Sequence, residues 1–140
     1  MTDPSCIFCK IIAGAIPALR VYEDDQAFAF LDIGPLAEGH LLVIPKRHYH
    51  RLEDMDPDAV AAVARLLPRL SRAVIQVTGC PAYNVLQNNG KEAGQEVGHV
   101  HFHIIPRTAA DGLGYRWNAG KYAPGRAEEL HQQMITAVQG

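Results

Sequence analysis

The segment His99–Ile105 restricts the fold of this chain more than any other part of its sequence. Histidine and apolar residues alternate there in the order His-Val-His-Phe-His-Ile-Ile. Successive side chains of a β-strand point to opposite faces, so the segment predicts a strand with one imidazole face and one apolar face packed on a core. Seven histidines in 140 residues give roughly 0.02 such triplets by chance. We therefore interpret the triplet as part of a functional site.

Length and composition predict one compact domain over residues 1–140. Hydrophobic residues make up 48% of the chain and charged residues 20%, which is ordinary for a globular protein. The 13 lysines and arginines are balanced by 15 acidic residues, so we expect no nucleic-acid partner bound through broad phosphate neutralisation. No apolar run is long enough for a membrane span, and the N-terminus lacks the basic region and apolar stretch of a secretory signal. We therefore expect a cytoplasmic protein without a membrane partner.

The pattern of apolar residues and breakers predicts an α+β fold. The predicted strands are residues 20–23, 26–31, 40–44, 83–87 and 99–105. The predicted helices are a short one over 6–13, a long one between Asp56 and Gly79, and a C-terminal one over about 125–138. Pro68 lies inside the long helix and predicts a kink or a split. Because helices and strands do not alternate regularly, we expect an antiparallel meander sheet of about five strands.

Two chemistries are compatible with three imidazoles on one strand face. Histidines at i and i+2 can ligate one zinc ion and leave a position open for a hydrolytic water. Alternatively, one neutral imidazole attacks phosphorus while its neighbours orient it and protonate the leaving group. Spacing alone does not decide between these two mechanisms.

The pair Cys6 and Cys9 is a second candidate site. In a chain with three cysteines, a Cys-x-x-Cys pair can be a redox pair, half of a zinc site, or two small buried hydrophobes. A thioredoxin-like pair normally opens a helix within a βαβ unit, and this sequence shows no such unit. A zinc site needs two further ligands. Cys80 is expected to be an inert packed thiol.

The histidine segment resembles the signature of the histidine-triad (HIT) family of nucleotide hydrolases and transferases. Further segments resemble the Hint branch, the nucleoside phosphoramidases: Ile7–Ile12, Ile16–Pro17, Glu23–Asp25, Phe30–Ile33, Gly39–Lys46, Asn88–Gly90 and Gly94–Gln95. These segments are spread over about residues 6–107, which leaves about 108–140 as a C-terminal extension. The resemblance implies a HIT-like fold and a homodimer, joined through the long helix and a central strand into one continuous sheet.

The resemblance also implies a reaction. In the family, the middle histidine attacks the α-phosphorus of a purine nucleoside phosphoramidate and forms a covalent nucleotidyl-histidine, which water then hydrolyses. That role maps onto His101. His99 completes the catalytic triad, His103 contacts the phosphate and leaving group, and His40 supports the nucleophile.

The substrate-binding residues are assigned by the same resemblance. They are Asp32 for the ribose hydroxyls, Asn88 and Gln95 for the phosphate region, and Phe8, Ile16 and Leu42 for the base. Structural alternatives are a turn-capping role for Asp32 and simple core packing for the three apolar residues. One position departs from the family pattern: Glu96 stands where the best-known phosphoramidases carry a serine that assists the leaving group. We therefore expect Glu96 to alter efficiency and leaving-group preference.

For the cysteine pair, the resemblance implies a structural Zn²⁺ site completed by His48 and His99. Two thiolates and two neutral imidazoles neutralise the ion in a closed tetrahedral set. His50 is the alternative to His48, since it would share the same face of a continued strand.

Two other functions remain alternatives. One is dinucleoside polyphosphate hydrolysis of the Fhit type, against which the Hint-like segment Ile7–Ile12 argues. The other is a nucleotide-binding or scaffolding module in which catalysis is incidental. All three interpretations predict a purine nucleotide as the small-molecule partner.

Overall fold

The computed structural model describes residues 2–114 and 119–140. The strands are β1 (Arg20–Glu23), β2 (Ala27–Leu31), β3 (Leu41–Pro45), β4 (Ala82–Gln87) and β5 (Phe102–Arg107). The helices are α1 (Ile7–Ile12), α2 (Pro57–Ala64), α3 (Leu67–Thr78) and α4 (Arg126–Gln139), and short 3-10 turns cover Leu52–Asp54 and Lys91–Ala93. No helix within the described residues is long and apolar enough to cross a bilayer.

The five strands form one antiparallel sheet in the order β1-β2-β3-β5-β4. The predicted five-stranded antiparallel sheet is confirmed. The strands form a simple meander only from β1 to β3. The connection through α2 and α3 then skips one strand position in the sheet, so β4 is not the neighbour of β3. The last strand, β5, then inserts between β3 and β4, which places the histidine segment in the interior of the sheet and leaves β4 at an edge.

The long helix predicted between Asp56 and Gly79 is split into α2 and α3. Pro68 lies in the first turn of α3, where its missing N–H leaves no intrahelical hydrogen bond unmade. Gly79 ends α3 in the left-handed conformation, with φ of 68°, and its N–H donates to the Ile75 carbonyl.

The sheet separates two apolar clusters, because successive residues of β2 and β3 face opposite sides. On the side covered by α2 and α3, the buried residues are Ala27, Ala29, Leu41, Val43, Val63, Leu66, Leu70, Val74, Cys80 and Ile104. On the side covered by α1, they are Cys6, Phe8, Cys9, Phe28, Phe30, Leu42 and Ile44. Both faces of β2 and β3 are therefore buried, which explains their nearly continuous apolar sequences.

The histidine segment is less regular than its alternation predicts. β5 begins at Phe102, so His99 and His101 precede the strand. The reason is a long-range contact: the Val100 N–H donates to the Tyr49 carbonyl at 2.8 Å, outside the ladder formed with β3 and β4. Val100 packs there with Tyr49 and Met55 in a small third cluster. The prediction of a strand beginning at His99 is wrong by three residues, although its apolar face is buried as expected.

Candidate active site and metal centre

A cleft of about 410 Å³ opens on the α1 side of the sheet. Its size suits a small organic molecule. Among the lining residues are the sequence-predicted Phe8, Ile16, Asp32, His40, Leu42, Asn88, His101 and His103, together with Glu96. The apolar part of the lining comes from α1, β2 and the segment after α1. The loop between β4 and β5 adds the more polar residues Asn88 and Glu96.

The imidazole of His101 is buried and held in one tautomer. Its Nδ1 lies 2.7 Å from the carbonyl oxygen of His99. A carbonyl only accepts hydrogen bonds, so Nδ1 carries the proton and Nε2 keeps its lone pair. Burial lowers the pKa of His101, so the neutral form is favoured. The ring edge of Phe8 packs against His101 at 5.2 Å between centroids. The result is an oriented, unprotonated nitrogen in the cleft.

His40 and His103 form a directional hydrogen-bonded pair. The Leu36 N–H donates to His40 Nδ1 at 3.1 Å, which places the His40 proton on Nε2. That nitrogen lies 2.9 Å from His103 Nδ1, so it donates there and leaves the His103 proton on Nε2. Leu36 was not identified from the sequence, because its contribution is a backbone N–H that no side-chain pattern reveals.

Burial keeps both members of this pair neutral near pH 7. It lowers the pKa of His40 and lowers the pKa of His103 to about 4. The carboxylate of Asp32 opposes both shifts; its Oδ2 lies 3.8 Å from His40 Nε2. Asp32, His40 and His103 could also gather around a metal ion, but the His40–His103 hydrogen bond already uses two of the nitrogens. His40 bonds His103 and not His101, so its support of the nucleophile is indirect.

Four side chains converge beside the cleft in a separate cluster: Cys6, Cys9, His48 and His99. His99 Nδ1 lies 3.5 Å from Cys6 Sγ, 3.6 Å from Cys9 Sγ and 3.2 Å from His48 Nδ1. His48 Nδ1 lies 3.4 Å from Cys9 Sγ. Zn–S bonds of about 2.3 Å and Zn–N bonds of about 2.05 Å at tetrahedral angles place nitrogen and sulfur about 3.5 Å apart and two nitrogens about 3.3 Å apart. The donor set therefore fits a tetrahedral metal ion.

Outer contacts orient the ligand atoms of this cluster. His99 Nε2 donates to the Pro45 carbonyl at 2.8 Å, which leaves Nδ1 unprotonated toward the cluster. The Asp3 N–H donates to Cys9 Sγ at 3.4 Å. The alternative ligand His50 is exposed, and its Nδ1 lies 3.2 Å from the Gly98 carbonyl. The structure thus brings His48, and not His50, to the cysteine pair.

His99 differs from the other two histidines of the triplet. Its side chain is fully buried in the four-residue cluster and does not line the cleft. Burial lowers its pKa to about 4. Its contribution to the cleft is the carbonyl that holds His101. Of the three imidazoles expected on one strand face, His101 and His103 line the cleft and His99 lies in the cluster, because the chain before β5 is not part of the strand.

Gln95 was predicted to hold the phosphate region, but both ends of its side-chain amide are used elsewhere. Its Oε1 accepts the Gly90 N–H at 2.7 Å, and its Nε2 donates to the His50 carbonyl at 2.7 Å. The side chain is buried and is absent from the cleft lining. Gln95 therefore closes the loop between Gly90 and Gly94, whose φ values of 94° and 93° favour glycine. The predicted role of Gln95 in the phosphate region stays a prediction, and the structure gives its side chain a place in holding this loop.

Phe30 lines the apolar wall and was not predicted as a site residue. It is paired with Leu42 across β2 and β3, so the two side chains share one face of the sheet. The alternation of alanine and phenylalanine in β2 was the available signal.

Comparison with known proteins gives a consistent family assignment. Residues 13–110 match the family model described as HIT domain. The chain is 43% identical over 139 residues to adenosine 5'-monophosphoramidase HNT1 of Saccharomyces cerevisiae, covering 99% of this chain and 85% of that protein. It is 49% identical over 108 residues to adenylylsulfatase HINT3 of Arabidopsis thaliana, covering 77% of this chain. That match spans only 55% of the plant protein's length.

Solved structures share the fold over nearly the whole chain. A protein from Streptococcus mutans UA159 has a TM-score of 0.93 at 36% identity, covering 98% of this chain and 87% of that one. A zinc-bound histidine triad family protein from Mycobacterium smegmatis has a TM-score of 0.74 at 38% identity, covering 95% and 97%. The family model and the relatives together show that this chain belongs to the HIT family.

Proposed function

We propose that this protein is a hydrolase of purine nucleoside phosphoramidates, which it cleaves at the α-phosphorus. The observation that carries the proposal is the hydrogen bond of His101 Nδ1 to the His99 carbonyl, because it leaves Nε2 free as a nucleophile in a ligand-sized cleft. The name of the yeast relative, a monophosphoramidase acting on an adenosine compound, supports this substrate class.

The reaction proceeds in two displacements at phosphorus. His101 Nε2 attacks the α-phosphorus, a P–Nε2 bond forms, and the P–N bond to the amine breaks. The departing amine takes up one proton from solvent, and the Nε2–H of His103 donates a hydrogen bond to the leaving group as the P–N bond breaks. Water then attacks the nucleotidyl-histidine, the P–Nε2 bond breaks, and the nucleoside monophosphate is released with free His101 while one proton returns to solvent. His40 acts as a positioning residue, because its Nε2–H fixes the His103 proton on the nitrogen that faces away from this bond.

The lining of the cleft suits the three parts of a nucleotide, namely the base, the ribose and the phosphate. The apolar wall with Phe8, Ile16 and Leu42 accommodates the planar base. Asp32 accepts the ribose hydroxyls with Oδ2, since its Oδ1 already accepts the Gly34 N–H at 2.8 Å. Asn88 contributes amide donors to the phosphate region.

A structural zinc ion at Cys6, Cys9, His48 and His99 is part of the proposal. Donor spacing and donor type support it, and a family member of similar fold is zinc-bound by its name. Bound there, zinc supplies no reaction chemistry and crosslinks α1 to the segments after β3 and before β5. His99 then holds the ion with its side chain and His101 with its carbonyl. Cysteines that bind zinc must be reduced, in keeping with a cytoplasmic location.

A homodimer joined along β4 and α3 completes the proposal. Tyr83 and Val85 lie on the α3 side of the edge strand β4 and are 40% and 43% exposed. Ile75 of α3 is 41% exposed. An unpaired edge strand beside exposed apolar side chains favours strand pairing with a second copy. We further propose that residues 1–140 form one domain, with about 108–140, including α4, as an extension.

Parallel incubations test this function. The protein is supplied with an adenosine phosphoramidate, a diadenosine polyphosphate or ADP, and AMP release is followed. We expect AMP from the phosphoramidate at the highest kcat/KM. Preferred release from the diadenosine polyphosphate would favour the Fhit-type alternative. Nucleotide binding without turnover would favour a binding module.

A further inference from the structure

The charges around the cleft are unbalanced. Two carboxylates, Asp32 and Glu96, line it, and within residues 2–114 and 119–140 no lysine or arginine does. His40 and His103 add no positive charge at pH 7, because burial lowers the pKa of both. A phosphate in this cleft is therefore held by neutral donors, and nearby carboxylates disfavour additional negative charge on the substrate.

Glu96 contributes one of these two carboxylates from a loop whose conformation is held by hydrogen bonds. The loop that carries it is closed by Gln95, which bonds both the Gly90 N–H and the His50 carbonyl. Glu96 itself is exposed and has no ion pair or side-chain hydrogen bond to the described residues, whereas Asp32 is engaged with the Gly34 N–H. Its carboxylate is thus free to interact with a ligand.

The residues that line the cleft assign Glu96 to the leaving-amine end of the substrate. The base belongs at the apolar wall formed by Phe8 and Ile16, and the phosphorus belongs beside His101 and His103. The part of the substrate without an assigned contact is the leaving amine, and the charged lining residue without an assigned role is Glu96. Glu96 lies on the same loop as Asn88, the residue assigned to the phosphate region, so we assign the leaving amine to Glu96.

We propose that Glu96 makes this protein selective for phosphoramidates whose leaving amine carries a second, cationic group, and that it discriminates against leaving amines bearing a carboxylate. The inference rests on the proposed phosphoramidase function and adds the substrate's charge class. A cation within about 6 Å of an exposed carboxylate gains enough Coulomb energy for a preference of about threefold over a neutral isostere. A carboxylate on the amine incurs a penalty of similar size.

Three adenosine phosphoramidates of matched length test the inference. Their leaving amines are 1,3-diaminopropane (cationic tail), butylamine (neutral tail) and 3-aminopropanoate (anionic tail). For the wild type at pH 7 and low salt, kcat/KM should decrease in that order, by about threefold at each step. Added NaCl should compress the ratios, because salt screens exposed charges.

Glu96→Gln removes the charge and keeps the shape. In this variant the cationic-to-neutral ratio should fall to near one. Glu92→Gln is the matched control: it makes the same charge change on the same loop, at an exposed residue outside the cleft lining, and should leave the ratios unchanged.

The outcomes distinguish failure of the inference from failure of the proposed function. Hydrolysis of all three substrates at equal rates by the wild type overturns the inference and leaves the phosphoramidase function intact. Ratios that persist in Glu96→Gln, or that do not respond to salt, overturn it in the same way. Failure of the wild type to hydrolyse even the butylamine substrate overturns the proposed function and the inference with it. The wild-type salt series keeps the test decisive if the variant folds poorly.

Discussion

The four-residue cluster and the cleft lie side by side, and each contains a buried histidine. The two histidines differ in the environment of their second ring nitrogen. His99 has one nitrogen on the Pro45 carbonyl and the other among Cys6, Cys9 and His48, with no exposed surface. His101 has one nitrogen on a carbonyl and the other free toward the cleft. Phe8 packs against both rings, at 5.8 Å and 5.2 Å. Two residues apart in sequence, one histidine is suited to hold an ion and the other to react. What distinguishes them is the partner of the second nitrogen.

This comparison predicts that substitutions in the cleft change chemistry and that substitutions in the cluster change stability. The largest effect is expected for His101→Ala. It should lower kcat by several orders of magnitude, because direct attack by water forgoes covalent catalysis. The variant should fold and bind the proposed zinc ion as the wild type does, since the His101 side chain is outside the cluster. His103→Ala should cost less, because His103 hydrogen-bonds the leaving group and forms no bond to phosphorus.

Rapid quenching with a labelled adenosine phosphoramidate checks the mechanism behind this loss. Wild-type protein should trap an acid-labile adduct on His101, and His101→Ala should trap none. His131→Ala, on the exposed helix α4, is the control and should behave as wild type. If chelators abolished turnover of folded protein and no adduct formed, a metal-bound hydroxide would be the nucleophile instead.

Cys9→Ser tests the other side of the comparison. Elemental analysis should find about one zinc per chain in the wild type and none in the variant. The substitution should also lower Tm by roughly 10 °C. Activity should be partly kept below the new Tm, because no reaction step uses the ion. Cys80→Ser removes a buried thiol outside the cluster and should keep the zinc. A metal-free protein that is folded and wholly inactive would contradict the structural assignment.

The pH dependence of stability should come partly from the cleft. Burial lowers the pKa of His103 to about 4 from an unfolded value near 6.5, so the unfolded chain binds a proton that the folded chain does not. Stability contributed by neutral His103 is therefore present above pH 6.5 and is lost as pH falls toward 4. The groups facing His103 are His40 and His101, which deepen the shift, and Asp32, which opposes it.

His103→Gln should consequently lose less Tm between pH 7 and pH 5 than the wild type does. Measurement by calorimetry, with zinc content checked at each pH, separates this effect from metal release. Equal losses in the two proteins would show that His103 does not titrate in this window.

The sequence predicts features that depend on the local spacing of apolar and polar residues. It does not predict features that depend on contacts between distant segments. Alternation in the histidine segment predicts which residues share a face, since side-chain direction along extended backbone is local. The start of β5 depends on Val100 meeting Tyr49, and the choice of His48 over His50 depends on how the chain turns after β3. The role of Gln95 in holding its loop likewise depends on a distant contact, the hydrogen bond from its Nε2 to the His50 carbonyl. These contacts join residues about 45 to 51 positions apart, which no local pattern encodes.

The smallest expected effect is at the open side of the cleft, where Glu96 is exposed. Glu96→Ser should raise kcat/KM for the neutral butylamine phosphoramidate by about two- to fivefold. The reason is that a hydroxyl donates a hydrogen bond to the leaving group without placing a negative charge beside phosphate. Glu92→Ser, outside the cleft lining, should leave the value unchanged. Measured from pH 6 to 8, an unchanged or lower value for Glu96→Ser would mean that the carboxylate is a bystander or takes part in the reaction. A rise in kcat/KM would instead show that a substitution on the open side of the cleft can increase the rate. Such a substitution differs from one in the closed cluster, because the Glu96 side chain has no partner among the described residues that would be lost.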